Sequence, residues 1–275
     1  MIKGGVGDSV TMRNASTANF LIDSIDRNDN ESSADFTISK KNSLLNGFFS
    51  RLAVSEVIAD WCVDNISEAT ENNKFSILVG ASPFTVTLDD GSYTIKAALD
   101  ALIVALNAGG TGLTFSLTDG AGFKELTAGS AFTVVSTNLS IQLNIKSGVS
   151  GTSFPVHCPV LLPYTYIDFV SSDLTYNQSL KDTTTNPIEQ NILYRWYFAW
   201  DTPPDRDAYG YPIYQGYERF IARRALPFPK QIAWENNMPI GQLNFKVYSS
   251  QGTVLLPSQV SGEFEWKMTL LVSEN

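Results

Sequence analysis

The chain has 275 residues, with 28 acidic and 19 basic side chains and a formal net charge of −9 at pH 7. Hydrophobic residues make up 43% of it, which is enough for a core and excludes global disorder. Charged residues make up only 17%, against about 25% in an average protein, so part of the surface is expected to face other protein. The acidic balance disfavours nucleic-acid binding, which needs a basic face.

The first third of the chain is predicted to begin as an arm and to continue as strands. Residues 1–33 are polar and contain glycines, which is typical of an N-terminal arm or loop. Residues 34–39 alternate with a period of two, and residues 48–61 are rich in β-branched and aromatic side chains. Both ranges are therefore predicted strands, the second with room for a bulge. The polar, acidic residues 65–73 mark a boundary.

Residues 73–146 are predicted to form a small α+β insertion. Strands are expected at 74–79 and 84–88, and again at 113–117, 131–136 and 139–145. Between them a helix runs from Tyr93 to a stop at Gly109-Gly110. Its apolar residues recur at steps of three and four, which places them on one face: Ile95, Ala98, Leu99, Leu102, Ile103 and Leu106. The insertion thus carries one amphipathic helix.

The rest of the chain is predicted to be almost entirely β. Its composition differs, since residues 1–150 hold only one of the twelve prolines and one of the eleven tyrosines. Strands are expected at 164–171, 192–200, 217–224, 230–234, 242–249 and 263–272, separated by proline- and glycine-rich turns. Many short strands with such turns favour an antiparallel jelly-roll β-sandwich, formed by residues 34–72 and 147–275.

Few residues are suited to catalysis, metal binding or membrane insertion. His157 is the single histidine, and its neighbour Cys158 would point to the opposite side of an extended segment. One histidine and two cysteines, Cys62 and Cys158, cannot build a usual zinc site and are interpreted as a loop histidine and two buried thiols. No apolar run reaches about 18 residues, and residues 1–11 lack the apolar centre of a secretory signal.

Residues 195–234 form the stretch richest in aromatic and arginine side chains. Tyr, Trp and Arg anchor protein interfaces, because they bury a large area and also offer a directed hydrogen bond. In the strand at 192–200, Trp196 and Phe198 are predicted on one face, and Tyr197 and Ala199 on the other. The candidate interface residues are Trp196, Tyr197, Trp200, Tyr209, Tyr211, Tyr214, Tyr217, Arg223 and Arg224.

Four segments follow one another in an order known from a protein family. The first is Asp23-Ser24-Ile25-Asp26-Arg27 leading into residues 33–38, and the second is residues 73–79 with Asp90-Gly91-Ser92-Tyr93 and the helix to Asn107. The third is residues 166–181 with Ser171-Ser172-Asp173-Leu174 and, just after, Asp182-Thr183-Thr184-Thr185; the last is residues 239–256 with the closing strand 263–272. In this order the chain resembles the minor capsid or penton proteins of double-stranded DNA viruses of the virophage, polinton-like and adintovirus kind.

The resemblance implies a structural virion protein. It implies a jelly roll with an insertion that assembles into an icosahedral shell, as a homopentamer at the vertices in contact with the major capsid protein. The protein would then be found in the virion, assembled inside the host cell. No cofactor, metal, catalytic residue, nucleic acid or membrane span is expected, and no enzyme activity.

Two other hypotheses remain open. The first is a virion spike or carbohydrate-binding β-sandwich module, in which Tyr209, Tyr211 and Tyr214 stack on sugar rings. The second is a hydrolase that uses Asp201, Asp205 or Asp207, since paired carboxylates can face each other across a cleft.

Overall fold

The computed structural model describes residues 17–39, 50–162, 164–175, 191–198, 205–213, 220–227, 231–233, 241–255 and 264–273. The strands are β1 (Thr17–Asp23), β2 (Asp35–Ser39), β3 (Arg51–Trp61), β4 (Lys74–Val79), β5 (Ser82–Thr87), β6 (Phe115–Asp119), β7 (Lys124–Val135), β8 (Ser150–Pro155), β9 (Tyr166–Val170), β10 (Ile192–Tyr197), β11 (Phe220–Ala225), β12 (Gln231–Ala233), β13 (Gln242–Ser249) and β14 (Glu265–Ser273). The helices are α1 (Ile95–Ala108), α2 (Asn138–Gln142) and α3 (Ser172–Thr175), with a 3-10 turn at Ser24–Asp26.

Two antiparallel sheets form a β-sandwich. One, the β3 sheet, has the order β1-β14-β3-β11, with β12 also paired to β3; the other, the β9 sheet, has the order β10-β9-β13-β2. If β1, β2, β3, β9, β10, β11, β13 and β14 are counted as strands one to eight, the orders are 1-8-3-6 and 5-4-7-2. This is the strand order of a jelly roll. The predicted mainly-β, jelly-roll sandwich is confirmed.

The sandwich core follows from the alternation of apolar and polar residues along its strands. On β14, Trp266, Met268 and Leu270 are buried, whereas Glu265 and Lys267 face outward. Trp266 lies at the centre of an aromatic group, with ring centroids 5.5 Å from Phe36, 5.9 Å from Phe245 and 5.0 Å from Phe169. Its indole N–H donates to the carbonyl of Ser33 at 2.8 Å, so the one polar atom of this buried ring is satisfied.

Between β3 and β9 the chain builds a second unit with its own core, here called the inserted unit. Its sheet has the order β5-β4-β7-β6, with β8 also paired to β7, and α1 and α2 complete it. The predicted helix is confirmed as α1: Thr94 caps it by accepting a hydrogen bond from the amide of Ala97, and it ends at Gly109. The buried residues of this core run from Ile66 to Leu161 and include Tyr211 from the sandwich part of the chain.

The strand predicted at 139–145 is wrong, because residues 138–142 form helix α2. Thr137 and Ser140 make a capping box, in which each side chain binds the backbone N–H of the other residue at 3.2 and 2.8 Å. Leu139 and Leu143 are buried four residues apart, and Ile141 between them is 64% exposed. Leu139 and Leu143 fit both the alternation of a strand and the four-residue spacing of a helix, so the apolar pattern does not distinguish the two. The capping box of Thr137 and Ser140 favours the helix.

Two further expectations need correction. Residues 17–23, which were assigned to the N-terminal arm, form the edge strand β1 and pair with β14 over their whole length. Of the two thiols, Cys62 is buried as predicted, but Cys158 is exposed; neither forms a disulfide. Strand β8 was also not predicted, because Ser150–Pro155 is short of apolar residues.

Replacing Thr137 by Ala is expected to lower the free energy of unfolding by about 1 kcal/mol, since the first turn of α2 loses its cap. Thr137→Ser keeps the hydroxyl and should stay within a few tenths of a kcal/mol of the wild type. Urea unfolding followed by circular dichroism measures both. An alanine variant as stable as the serine variant would contradict the assignment of α2.

Candidate assembly surfaces

Strand β10 divides the predicted interface residues between two faces. Trp196 and Phe198 are buried in the sandwich core, with 1% and 2% of their surface exposed, whereas Tyr197 is 59% exposed on the outer face. The predicted faces of these three residues are confirmed; Ala199 lies outside the described residues. The ring of Trp196 therefore packs against the core of its own subunit, and Tyr197 is the exposed ring of this strand.

Around Tyr197, the outer face of the β9 sheet carries a group of side chains that we call the tyrosine patch: Tyr166, Asp168, Arg195 and Tyr197. Antiparallel pairing sets Arg195 opposite Asp168 and Tyr197 opposite Tyr166. The guanidinium donates two hydrogen bonds to the carboxylate of Asp168, at 2.7 and 2.8 Å. Its carbon lies 3.9 Å from the ring centroid of Tyr166, and the rings of Tyr166 and Tyr197 meet edge to face at 5.8 Å.

The tyrosine patch is held in place before any partner arrives. Asp168 is only 3% exposed although it points outward, because Arg195 covers it. The hydrogen bonds to Asp168 raise the pKa of Arg195 above its ordinary value. A guanidinium fixed on both a carboxylate and a ring loses little side-chain entropy on binding. Tyr166 and Asp168 were not among the candidate residues, since the pairing register that brings them to Arg195 is not visible in the sequence.

The outer face of the β3 sheet is a mixed surface. Leu21, Ile221 and Leu271 are 61%, 75% and 36% exposed and lie on three different strands. Charged side chains between them pair with each other: Lys267 with Asp23 at 2.7 Å, and Arg223 with Glu56. The candidate residue Arg223 is therefore exposed, but its charge is already balanced within the subunit.

Residues 205–213, between β10 and β11, form a tight loop organised by Asp207. The amide of Asp207 donates to the carbonyl of Tyr211 at 2.8 Å, and the amide of Gly210 donates to the carbonyl of Asp207 at 2.9 Å. The carboxylate of Asp207 accepts from the amides of Tyr209 and Tyr211, and also from the amide of Lys96 in the first turn of α1 at 3.0 Å. A negative charge at this end of a helix is favourable.

The two tyrosines of this loop bind the inserted unit. Tyr211 is 5% exposed, and its hydroxyl donates to the carbonyl of Val156 and accepts from the amide of Lys124, both at 2.9 Å. Tyr209 donates its hydroxyl proton to Asp100 at 2.6 Å. The ammonium groups of Lys96 and Lys124 lie 5.0 and 4.5 Å from the centroid of its ring. We call this arrangement the tyrosine clamp; it ties the sandwich to the inserted unit.

The clamp changes how the candidate residues are interpreted. Tyr211 was a candidate interface residue, but its ring is buried inside the subunit, and Tyr209 is engaged by three side chains of its own chain. Trp200, Tyr214 and Tyr217 lie outside the described residues. Arg224 is half-buried, with its guanidinium carbon 5.6 Å from the ring centroid of Trp196.

Two of the residues considered for catalysis, Asp207 and His157, make contacts that stabilise the structure. Asp207 uses its carboxylate on three backbone amides, Asp205 is exposed, and Asp201 lies outside the described residues. The ring of His157 contacts the ring of Phe123, with centroids 4.1 Å apart. Within the part of the chain that the structure describes, no three His, Cys, Asp or Glu side chains are grouped to hold a metal ion. No helix found there is long and apolar enough to cross a membrane.

Comparison with known proteins identifies the fold. No protein-family profile matches the chain, and no curated protein matches its sequence. The crystal structure of the selenomethionine-labelled mavirus penton protein is similar over 96% of this chain and 100% of that one, with a TM-score of 0.52 and 12% identity. The cryo-EM structure of the Sputnik virophage matches over 93% and 97% of the two chains, with a TM-score of 0.46 and 13% identity. The chain has the penton-like fold that the resemblance implied.

Removing the hydroxyl of Tyr211 is expected to destabilise the protein by about 1–3 kcal/mol, because a buried amide and a buried carbonyl lose their partner. Tyr211→Phe tests this in urea unfolding. Tyr248→Phe is the matched control, since the hydroxyl of Tyr248 makes no hydrogen bond to a described residue. Equal stability of the two variants would show that the clamp does not depend on this hydroxyl.

The clamp is expected to weaken at alkaline pH. The hydrogen bond to Asp100 raises the pKa of Tyr209 above its ordinary 10.0, and a hydrogen bond to the same carboxylate raises the pKa of Lys96 above 10.5. Both groups hold their protons more tightly in the folded chain, so this stabilisation is complete below pH about 10 and is lost as the pH rises through the folded pKa values.

The measurement is the unfolding midpoint as a function of pH for the wild type and for Tyr209→Phe. The wild type should lose stability more steeply above pH about 10, because the variant has no hydroxyl to deprotonate at this position. Parallel curves for the wild type and Tyr209→Phe would argue against the coupling between Tyr209 and Asp100.

Proposed function

We propose that the chain is a structural virion protein: a penton or minor capsid protein that self-assembles, as a homopentamer at capsid vertices, and contacts the major capsid protein. Its place is the virion, and its assembly occurs inside the host cell. The observation that carries this proposal is the similarity to the mavirus penton protein over 96% of this chain and all of that one. The similarity extends over the inserted unit as well as the sandwich.

The geometry of the surface supports self-assembly. A closed ring needs two different patches on each subunit, because every copy meets one neighbour on each side. The two outer faces of a sandwich lie on opposite sides of the subunit. One presents the tyrosine patch, and the other presents Leu21 and Ile221 among paired charges. A stable contact buries about 800 Å² on each partner, which is of the order of one sheet face.

We propose the tyrosine patch as the main contact surface between subunits, in place of the whole aromatic stretch after residue 195 that the sequence predicted. Tyr197 is proposed as the central contact, with Arg195 as its fixed neighbour. Trp200, Tyr214, Tyr217, Arg223 and Arg224 remain predicted interface residues. The insertion predicted at 73–146 is proposed to face outward or to contact a neighbouring subunit. We expect no catalytic activity and no binding of nucleic acid.

The alternative of a carbohydrate-binding module loses its main support. It required Tyr209, Tyr211 and Tyr214 to stack on sugar rings, but the ring of Tyr211 is buried and the hydroxyl of Tyr209 is bonded to Asp100. A glycan array distinguishes the two functions, since the assembly role gives no specific hit.

Native mass spectrometry of the purified chain at micromolar concentration is expected to show a closed oligomer of five copies. Tyr197→Ser should weaken the association at least tenfold, because truncating a central tyrosine of an interface costs about 2 kcal/mol or more. The comparison variant is Ile141→Ser, which removes a similarly exposed apolar side chain from α2 and leaves the association unchanged if the inserted unit faces outward. Both variants should unfold at the wild-type midpoint.

Two results separate the parts of this proposal. A wild type that stays monomeric and is absent from purified particles would rule out the capsid role. An oligomer that Tyr197→Ser leaves intact would keep the role and remove the tyrosine patch from the interface.

A further inference from the structure

Arg223 and Arg224 follow each other on β11, and their surroundings differ. Pairing with β3 sets Arg223 opposite Ile58 and Arg224 opposite Val57, so the two side chains leave opposite faces of the sheet. Arg223 points outward and pairs with Glu56. Arg224 shares the inner face with Ala222 and Leu226, which pack against the sandwich core, and it makes no ion pair with any residue that the structure describes.

Arg224 lies against a buried indole whose polar atom has no partner. Its guanidinium carbon is 5.6 Å from the ring centroid of Trp196, which is 1% exposed. The indole nitrogen of Trp196 is buried and meets no hydrogen-bond acceptor among the residues that the structure describes. Trp266 in the same core has such a partner, since its N–H donates to Ser33 at 2.8 Å. A buried donor without an acceptor costs stability, so the binding of an acceptor at Trp196 would be favourable.

Tyr194 adds a third donor on the same side of β10. Its ring centroid is 6.4 Å from that of Trp196, and it packs partly against the core. The positive charge of Arg224 acts on the hydroxyl of Tyr194, where it opposes the rise in pKa that burial causes. A guanidinium, an indole N–H and a phenol hydroxyl are thus grouped with no described acceptor between them.

This group lies beside two strands that end their sheets. Among the described strands, β10 is at the edge of the β9 sheet, and β11 is at the edge of the β3 sheet. A chain of another molecule can approach between two sheet edges, which a site in the middle of the sandwich would not allow. The chemistry that fits is a carboxylate, because its two oxygens match the fork of a guanidinium and accept from further N–H and O–H donors.

We propose that Trp196 and Arg224, with Tyr194 beside them, form a carboxylate-binding site beside strands β10 and β11, filled by the acidic side chain of an adjacent protein subunit. A second copy of this chain is one source of the carboxylate, since it carries 28 acidic residues, and this choice rests on the proposed function. Another capsid protein is the other source. The binding chemistry is the same for both.

The probe is sodium acetate, with sodium chloride at equal ionic strength as the reference. In NMR spectra of the tryptophan side chains, acetate should shift the indole N–H of Trp196 in a saturable way and leave the other four in place. Trp196→Phe assigns the signal. Arg224→Gln should weaken acetate binding at least tenfold, since it removes the charged partner.

Arg223→Gln is the matched control, because it removes the neighbouring arginine on the opposite face and should leave acetate binding unchanged. In assembled protein the carboxylate of a neighbour fills the site, so added acetate competes with it. Acetate should therefore lower the association constant of the wild type and of Arg223→Gln. It should not lower that of Arg224→Gln. If neither the Trp196 signal nor the association responds to acetate, the proposal is overturned. An equal response of Arg224→Gln and Arg223→Gln overturns it as well.

The self-association of Arg224→Gln distinguishes the sources. An association tenfold weaker than that of the wild type assigns the carboxylate to a second copy. Acetate binding that depends on Arg224, together with unchanged association, assigns it to another protein. A wild type that never associates would overturn the proposed function, whereas the acetate titration would still test the site.

Discussion

One extra residue in the central strand of the β3 sheet determines where the side chains of the sandwich point. In β3, the core residues before Ser55 are even-numbered, Leu52 and Val54, and those after it are odd-numbered, Val57, Ala59 and Trp61. A regular strand cannot bury both sets, because its side chains alternate. The pairing with β14 skips Ser55, since Thr269 lies opposite Glu56 and Leu270 opposite Val54. This β-bulge brings both sets to the core.

The same bulge shapes the neighbouring strand and the surfaces discussed above. β11 pairs with β3 on one side of Ser55 and β12 pairs on the other, so the sixth strand of the jelly roll is divided where its partner bulges. The carbonyl of Ser55 accepts from the amide of Leu226, the residue after β11, and the hydroxyl of Ser55 donates to the carbonyl of Thr269. The register that follows turns Arg223 outward to Glu56 and Arg224 inward to Trp196. The bulge therefore determines that Arg223 pairs with Glu56, whereas Arg224 makes no ion pair with a described residue.

Much of the architecture could be predicted from the sequence, because alternation and caps are local signals. The strands at 74–79 and 242–249 and the helix with Leu99 and Leu102 on its buried face are found where the sequence places them. The errors arise where two periods fit the same residues, as with Leu139 and Leu143, or where a short strand depends on pairing with a distant segment, as β1 does on β14. Which strands pair, and in which register, depends on contacts between distant residues. For this reason Tyr166 and Asp168 could not be connected with Arg195, nor Tyr211 with Val156.

These contacts show how the chain uses its few charged residues. Several charged groups are paired inside the subunit: Asp168 with Arg195, Glu56 with Arg223, and Asp100 with Lys96 and the hydroxyl of Tyr209. The aromatic stretch that looked like one continuous interface is divided in the same way, because Trp196 fills the core and Tyr211 holds the inserted unit. Seven of the described lysines and arginines are paired within the subunit, which leaves fewer cations for its neighbours. Arg224, placed beside a buried N–H that has no described acceptor, is then a place where a carboxylate of another subunit can bind.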